Sequence, residues 1–154
     1  MVQPMTKLLT ILVAFLMTVS TQASTQDMTY SDLKNFRVSV FIADAAKDAC
    51  WTNLTESREY AEEKVRSAGA TVVPHASITD YVVVVRVRSV RDTAFGSCFG
   101  SIRLELVTST MVNGRRHEAT AIESGAIFMG LQNANPRVIQ SIQSFFDLYK
   151  ARED

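Results

Sequence analysis

Histidine and cysteine are scarce in this sequence, two of each, and tryptophan occurs once. His75 and His117 show no short ligand spacing to each other or to the cysteines, so no metal site is expected and both read as solvated surface residues. There is no phosphate-binding loop, no dinucleotide fingerprint, no pair of catalytic carboxylates and no heptad repeat. No cofactor is expected. Charge of one sign is also missing. Lys plus Arg and Asp plus Glu are 16 each, with no block of like charge. Nothing steers the chain toward nucleic acid or an anionic surface, and aromatics interleaved with basic residues, which would stack bases, are absent. Internal repeats and low-complexity segments are absent too.

What is present begins with a targeting segment. Lys7 is the only charge before a twelve-residue apolar run, Leu8 to Val19, which is followed by Thr21-Gln22-Ala23. That order fits a secretory signal peptide cleaved after Ala23. The run is too short to span a bilayer, which needs roughly 20 apolar residues, so no stable membrane span is expected after cleavage. No cysteine near the cleavage point would carry a lipid anchor. The expected organisation is a cleaved leader over residues 1–23, a flexible lead-in over 24–35, and a single domain over 36–154. Loss of Lys7 leaves 15 basic against 16 acidic residues, and a domain of this size buries enough surface to stand alone.

In an exported chain, Cys50 and Cys98 read first as a disulfide, and only one pairing exists. The loop it closes is worth about 3–4 kcal/mol in the chain-entropy model. Trp51 is expected to pack beside it.

The folding pattern centres on Tyr81 to Val90, YVVVVRVRSV. It is rich in β-branched residues and free of Gly and Pro, as expected near the middle of a sheet. Residues 36–43 alternate as a first strand. Asn53 and Glu56 sit in capping-box positions for a helix ending at Gly69. A short strand follows over 70–73. Residues 91–100 read as a loop holding Phe95, Cys98 and Phe99. Asn113-Gly114 predicts a two-residue type I′ hairpin turn between strands 101–112 and 115–128. An unbroken register from that turn would set Leu106 against Ala121 and put Glu123 on the apolar face, so a β-bulge is expected to re-aim it. Asn135-Pro136 opens a last helix with an apolar stripe through Phe145 and Phe146. The chain order is β-α-β-β-β-β-α. The expected fold is α+β: a two-layer sandwich with a mostly antiparallel sheet of about five strands, covered on one face by two helices.

The stretch from the first strand through the helix ending at Gly69 to Asp80-Tyr81-Val82-Val83-Val84-Val85 is similar to small periplasmic accessory domains of bacterial envelope machines. The similarity is one of topology over residues 36–90, and no residue role follows from it.

Gly96-Ser97-Cys98-Phe99-Gly100 fits the cysteine form of a nucleophile elbow. That geometry needs a helix after the turn, whereas a strand is expected here. Arg86 and Arg88 share a strand face, as do Arg103 and Glu105. Ion pairing across the strands is the plain account; an anion or acidic-partner site of Arg86, Arg88 and Arg103 is the sharper one. With Val82 and Val84 they make a candidate docking face: Val82, Val84, Arg86, Arg88, Arg103 and Glu105. The expected function is that of an exported, periplasmic or secreted, non-enzymatic binding or accessory protein acting through this surface. Its partner is a protein in the envelope or outside the cell, or a second copy. The alternative is a small-ligand carrier or cysteine-dependent enzyme with a pocket at the Phe95–Gly100 loop.

Overall fold

A computed structural model describes residues 33–75, 78–130 and 133–150. The expected leader and most of the lead-in lie outside the described residues. The end of the lead-in lies within them: Leu33 is buried in the core, and the Asn35 N–H donates to the Gly69 carbonyl.

The elements are β1 (Arg37–Ala46), α1 (Leu54–Ser67), β2 (Thr71–Val72), β3 (Tyr81–Arg91), β4 (Cys98–Val112), β5 (Arg115–Gly130) and α2 (Asn135–Lys150). Two helices and one five-stranded sheet make the fold α+β. The sheet order is β2-β1-β3-β4-β5, so the valine-rich β3 is central. The long β3–β4 and β4–β5 ladders are antiparallel, whereas β1 runs parallel to both β2 and β3. Cys98 and Phe99 belong to β4 and not to the preceding loop, which shrinks to residues 92–97.

Alternation sorts each strand into two faces. Val40, Val83 and Leu106 lie in one row across β1, β3 and β4; Val85 and Leu104 share the next row, and Val87 and Ile102 the one after. All of these are buried. They form one cluster with Ala61, Val65 and Ala68 of the α1 region and Val138, Ile142, Phe145 and Phe146 of α2. Full burial of one such side chain contributes roughly 1.5–3 kcal/mol.

Gly69, at φ +79°, ends α1 in a conformation that favours glycine. At the other end of α1 the expected capping box is replaced. Asn53 makes no cap to the helix backbone; its Oδ1 accepts from the Trp51 indole at 3.0 Å, and its amide donates to Glu56. Asn135 of α2 reaches across instead, its Oδ1 accepting from the backbone N–H of Thr52 at 3.0 Å. An indole N–H shut inside the core needs an acceptor, and Asn53 is two residues away.

Asn113 and Gly114 both have positive φ, 50° and 73°, as a type I′ turn requires. Pairing runs evenly from Val112↔Arg115 to Val107↔Thr120, then jumps to Leu106↔Ile122. Ala121 is the extra residue of a β-bulge. Beyond it every side chain has changed face: Ile122 turns to the core and Glu123 turns away, opposite Glu105.

Candidate binding surface

The face opposite the core is built from the remaining residues of the same strands. Its rows run Ser39-Val82-Val107, Phe41-Val84-Glu105-Glu123, Ala43-Arg86-Arg103-Gly125 and Ala45-Arg88-Ser101-Ile127; the last row joins Val90, Phe99 and Met129. The expected surface residues are therefore together on one face, but they are not equally open.

The valine end is partly roofed. Parallel β2 and β3 flank β1, so the chain between them must cross β1, and it does so over this face. His75 stacks on Phe41 with ring centroids 4.7 Å apart, and its Nδ1 lies 3.4 Å from the Ser39 hydroxyl. Ser39 is fully buried and Val84 is 8% exposed; Val82 is half-buried. His75 is thus tied to this roof, and Val84, though on the face away from the core, is buried.

The middle of the face is an ion-pair network. Glu105, whose side chain is 13% exposed, lies 3.3 Å from Arg86 and 4.0 Å from Arg103; Arg103 also lies 3.3 Å from Glu123. Two of the three arginines are thus engaged by carboxylates. Arg88 has no ion-pair partner among the described residues, so the cluster carries three cations against two anions.

The β5 end is apolar and open. Ile127 is 90% exposed and Met129 83%, with Phe99 beside them and Phe95 at the tip of the adjacent loop. Strand alternation alone does not reveal it. The signal in the sequence is Ala126-Ile127-Phe128-Met129, a strand end apolar on both faces: Ala126 and Phe128 take the core side, where only Phe128 is buried, and Ile127 and Met129 take the other.

The loop next to this patch is ordered. Asp92 Oδ1 accepts from the backbone N–H groups of Ala94 and Phe95, at 2.7 and 3.1 Å. Arg91 donates to the carbonyls of Gly96, Asp48 and Ala49, tying this loop to the one after β1. Between those loops Cys50 and Cys98 are joined, both fully buried, with Trp51 buried alongside. The bridged sulfur of Cys98 leaves no thiol in the elbow-like sequence, and a strand follows it. Among the described residues no group of His, Cys, Asp or Glu could hold a metal ion, and no helix is long and apolar enough to cross a membrane.

Among the described residues, two of the clefts lie at the borders of the sheet. One, of about 530 Å³, runs between β5 and α2. The other lies between residues 78–81 and the base of the β4–β5 hairpin, beside Phe36 and Arg116. In the latter, Asp80 fastens the starts of β1 and β3: its carboxylate accepts from the Arg37 N–H at 2.8 Å and from the Arg37 guanidinium at 3.4 Å. That backbone N–H first, and the guanidinium second, hold the Asp80 carboxyl below its ordinary value.

No family model matches the chain, and no curated protein does. Among solved structures it is similar to a variant of the PelC dodecamer from Paraburkholderia phytofirmans, at 16% identity. That match covers 75% of this chain and 89% of the other, with a TM-score of 0.45. It is also similar to a minor lipoprotein from Acinetobacter baumannii, at 9% identity over 82% of this chain and 95% of the other, with a TM-score of 0.35. At these scores the likeness carries no argument about the role of this chain.

Proposed function

We propose that this chain is an exported, non-enzymatic binding protein that engages a protein partner through the face of its sheet opposite the core. In this reading the two helices form one layer over the buried face, as their shared core cluster suggests, and the opposite face beyond the Ser39 roof stays open to a partner. The carrying observation is the apolar end of that face, Phe99, Ile127 and Met129, set beside the unpaired Arg88. Apolar anchors with an arginine next to them are the composition of an interface centre. Export is supported by the leader-like residues 1–23 and by the Cys50–Cys98 bridge, which persists in oxidising compartments. The docking centre moves from Val82 and Val84 toward β5, because Val84 is already covered.

Two experiments test this. N-terminal sequencing of the chain recovered from outside the cytoplasm is expected to begin at Ser24; recovery of the uncleaved chain in the cytoplasm would contradict export. The double substitution Ile127→Asp, Met129→Asp is expected to keep the melting temperature and lose the co-isolated partner. Retention of the same partner by that variant would remove the apolar patch from the interface.

A further inference from the structure

The two edges of the sheet are unequal. β2 has two residues, whereas β5 has sixteen and no strand beyond it among the described residues. An exposed edge presents a row of unpaired backbone N–H and C=O groups, which proteins ordinarily blunt with charge or bulges. The first half of β5 is blunted in this way, by Arg115, Arg116, Glu118, Glu123 and the Ala121 bulge. The second half, residues 124–130, carries no charge at all.

Alongside that second half runs the cleft of about 530 Å³ between β5 and α2. Ile102, Leu104 and Ala126 are on the sheet side, and Ser141 and Ser144 on the helix side; these serines and the alanine are too small to close it. Arg137 is the one charged residue lining it, held by donation to the Gln140 side-chain Oε1 at 3.0 Å and paired with no carboxylate among the described residues.

We propose that residues 124–130 of β5 receive an extended peptide segment of the partner as an additional strand, with alternate side chains entering the α2–β5 groove and one carboxylate meeting Arg137. Side chains of an added strand alternate between the sheet faces. Those on the core side drop beside Ala126, Ser141 and Ser144. Those on the other side cover Ile127 and Met129, which accounts for two strongly exposed apolar residues on an edge strand. A second copy paired through the same residues offers no acidic group, so each Arg137 would stay unmet; the charge favours a different chain. The inference rests on the partner-binding reading above and extends it from that face to the edge and the groove.

The test uses the purified, bridged protein and a displayed library of random peptides. Selected peptides are expected to alternate apolar residues with one Asp or Glu. Their affinity is expected to fall about tenfold or more with Arg137→Glu, with Ser141→Trp filling the groove, and with N-methylation of alternate peptide amides. Arg58→Glu on the outer side of α1 is expected to leave it unchanged. Arg137 is exposed, so its variant folds even if the tryptophan variant does not. Three outcomes overturn the inference: no selected peptide depends on Arg137, binding is indifferent to amide methylation, or the edge is instead filled by a dimer that Ile127→Arg dissociates. If these occur while the cellular partner is still lost on Ile127→Asp, Met129→Asp substitution, face binding stands and strand addition falls.

Discussion

Reduction of the Cys50–Cys98 bridge is the perturbation whose magnitude follows most directly from the structure. The two residues are 48 apart in sequence, and the loop they close contains α1, β2 and β3. Cross-linking a loop of that length removes denatured-state entropy worth about 4 kcal/mol at 25 °C. For a domain of this size that corresponds to a fall in melting temperature of about 15 °C. Reduction keeps both sulfurs in place and isolates this effect. The double variant Cys50→Ala, Cys98→Ala removes two fully buried sulfurs as well, and is expected to lose about 1–2 kcal/mol more through the cavity left behind. Urea unfolding of oxidised, reduced and double-alanine protein separates the contributions. The reduced protein is also expected to unfold with a steeper denaturant dependence, because its unfolded chain is freer to expand. If oxidised and reduced protein unfold within about 1 kcal/mol of each other, the loop-closure account of this bridge is wrong.

Further expectations attach to single positions. Gly100 sits where a Cβ would run into the Arg88 carbonyl oxygen and lie 2.6 Å from Ser89 Cβ, so Gly100→Ala is expected to cost about 2–3 kcal/mol; an unchanged urea midpoint would contradict that crowding. Deleting Ala121 removes the bulge and leaves Thr120 and Ile122 opposite Val107 and Leu106 as before, so a loss below about 1 kcal/mol is expected, whereas deleting Gly125 turns Phe128 outward and is expected to cost about 3 kcal/mol or more. Equal losses from the two deletions would refute the assigned register. For Asp80, whose carboxyl is held below its ordinary value of 3.8, the ionised form stabilises the fold above that value. The effect fades as pH falls through the lower folded value. The stability difference between the protein and Asp80→Asn is therefore expected to be constant near neutrality and to shrink below about pH 4; a difference that grows on acidification would contradict the assignment.

Much of the architecture is written in local chemistry. Unbroken β-branched residues mark β3, Asn113-Gly114 marks the hairpin, and the misplaced Glu123 announces the bulge, because a carboxylate on an apolar face is a conflict the backbone must resolve. What local patterns do not carry is which strand lies beside which. That β1 is parallel to both neighbours, and that the chain therefore crosses it with His75, depends on the path between β2 and β3. Alternation reads Ser39 and Val84 as simply facing away from the core, yet both are buried, Ser39 beneath His75 of that crossing. Asn53 is equally ambiguous: the same side chain suits a helix cap or a buried indole, and here the indole takes it. On the candidate site, the pattern brings Arg86, Arg88, Arg103 and Glu105 to one face, but the open apolar group of Ile127 and Met129 emerges only once Phe128 is seen to take the inward position.

The central claim is that the face bearing Ile127 meets a partner and the outer side of α1 does not. Photo-cross-linking in living cells tests it directly, with a benzophenone side chain placed at Ile127 or, as the contrast, at the exposed Arg58 of α1. A discrete adduct from position 127 and none from position 58 is the expected result. Adducts from both positions alike, or from position 58 alone, would contradict it.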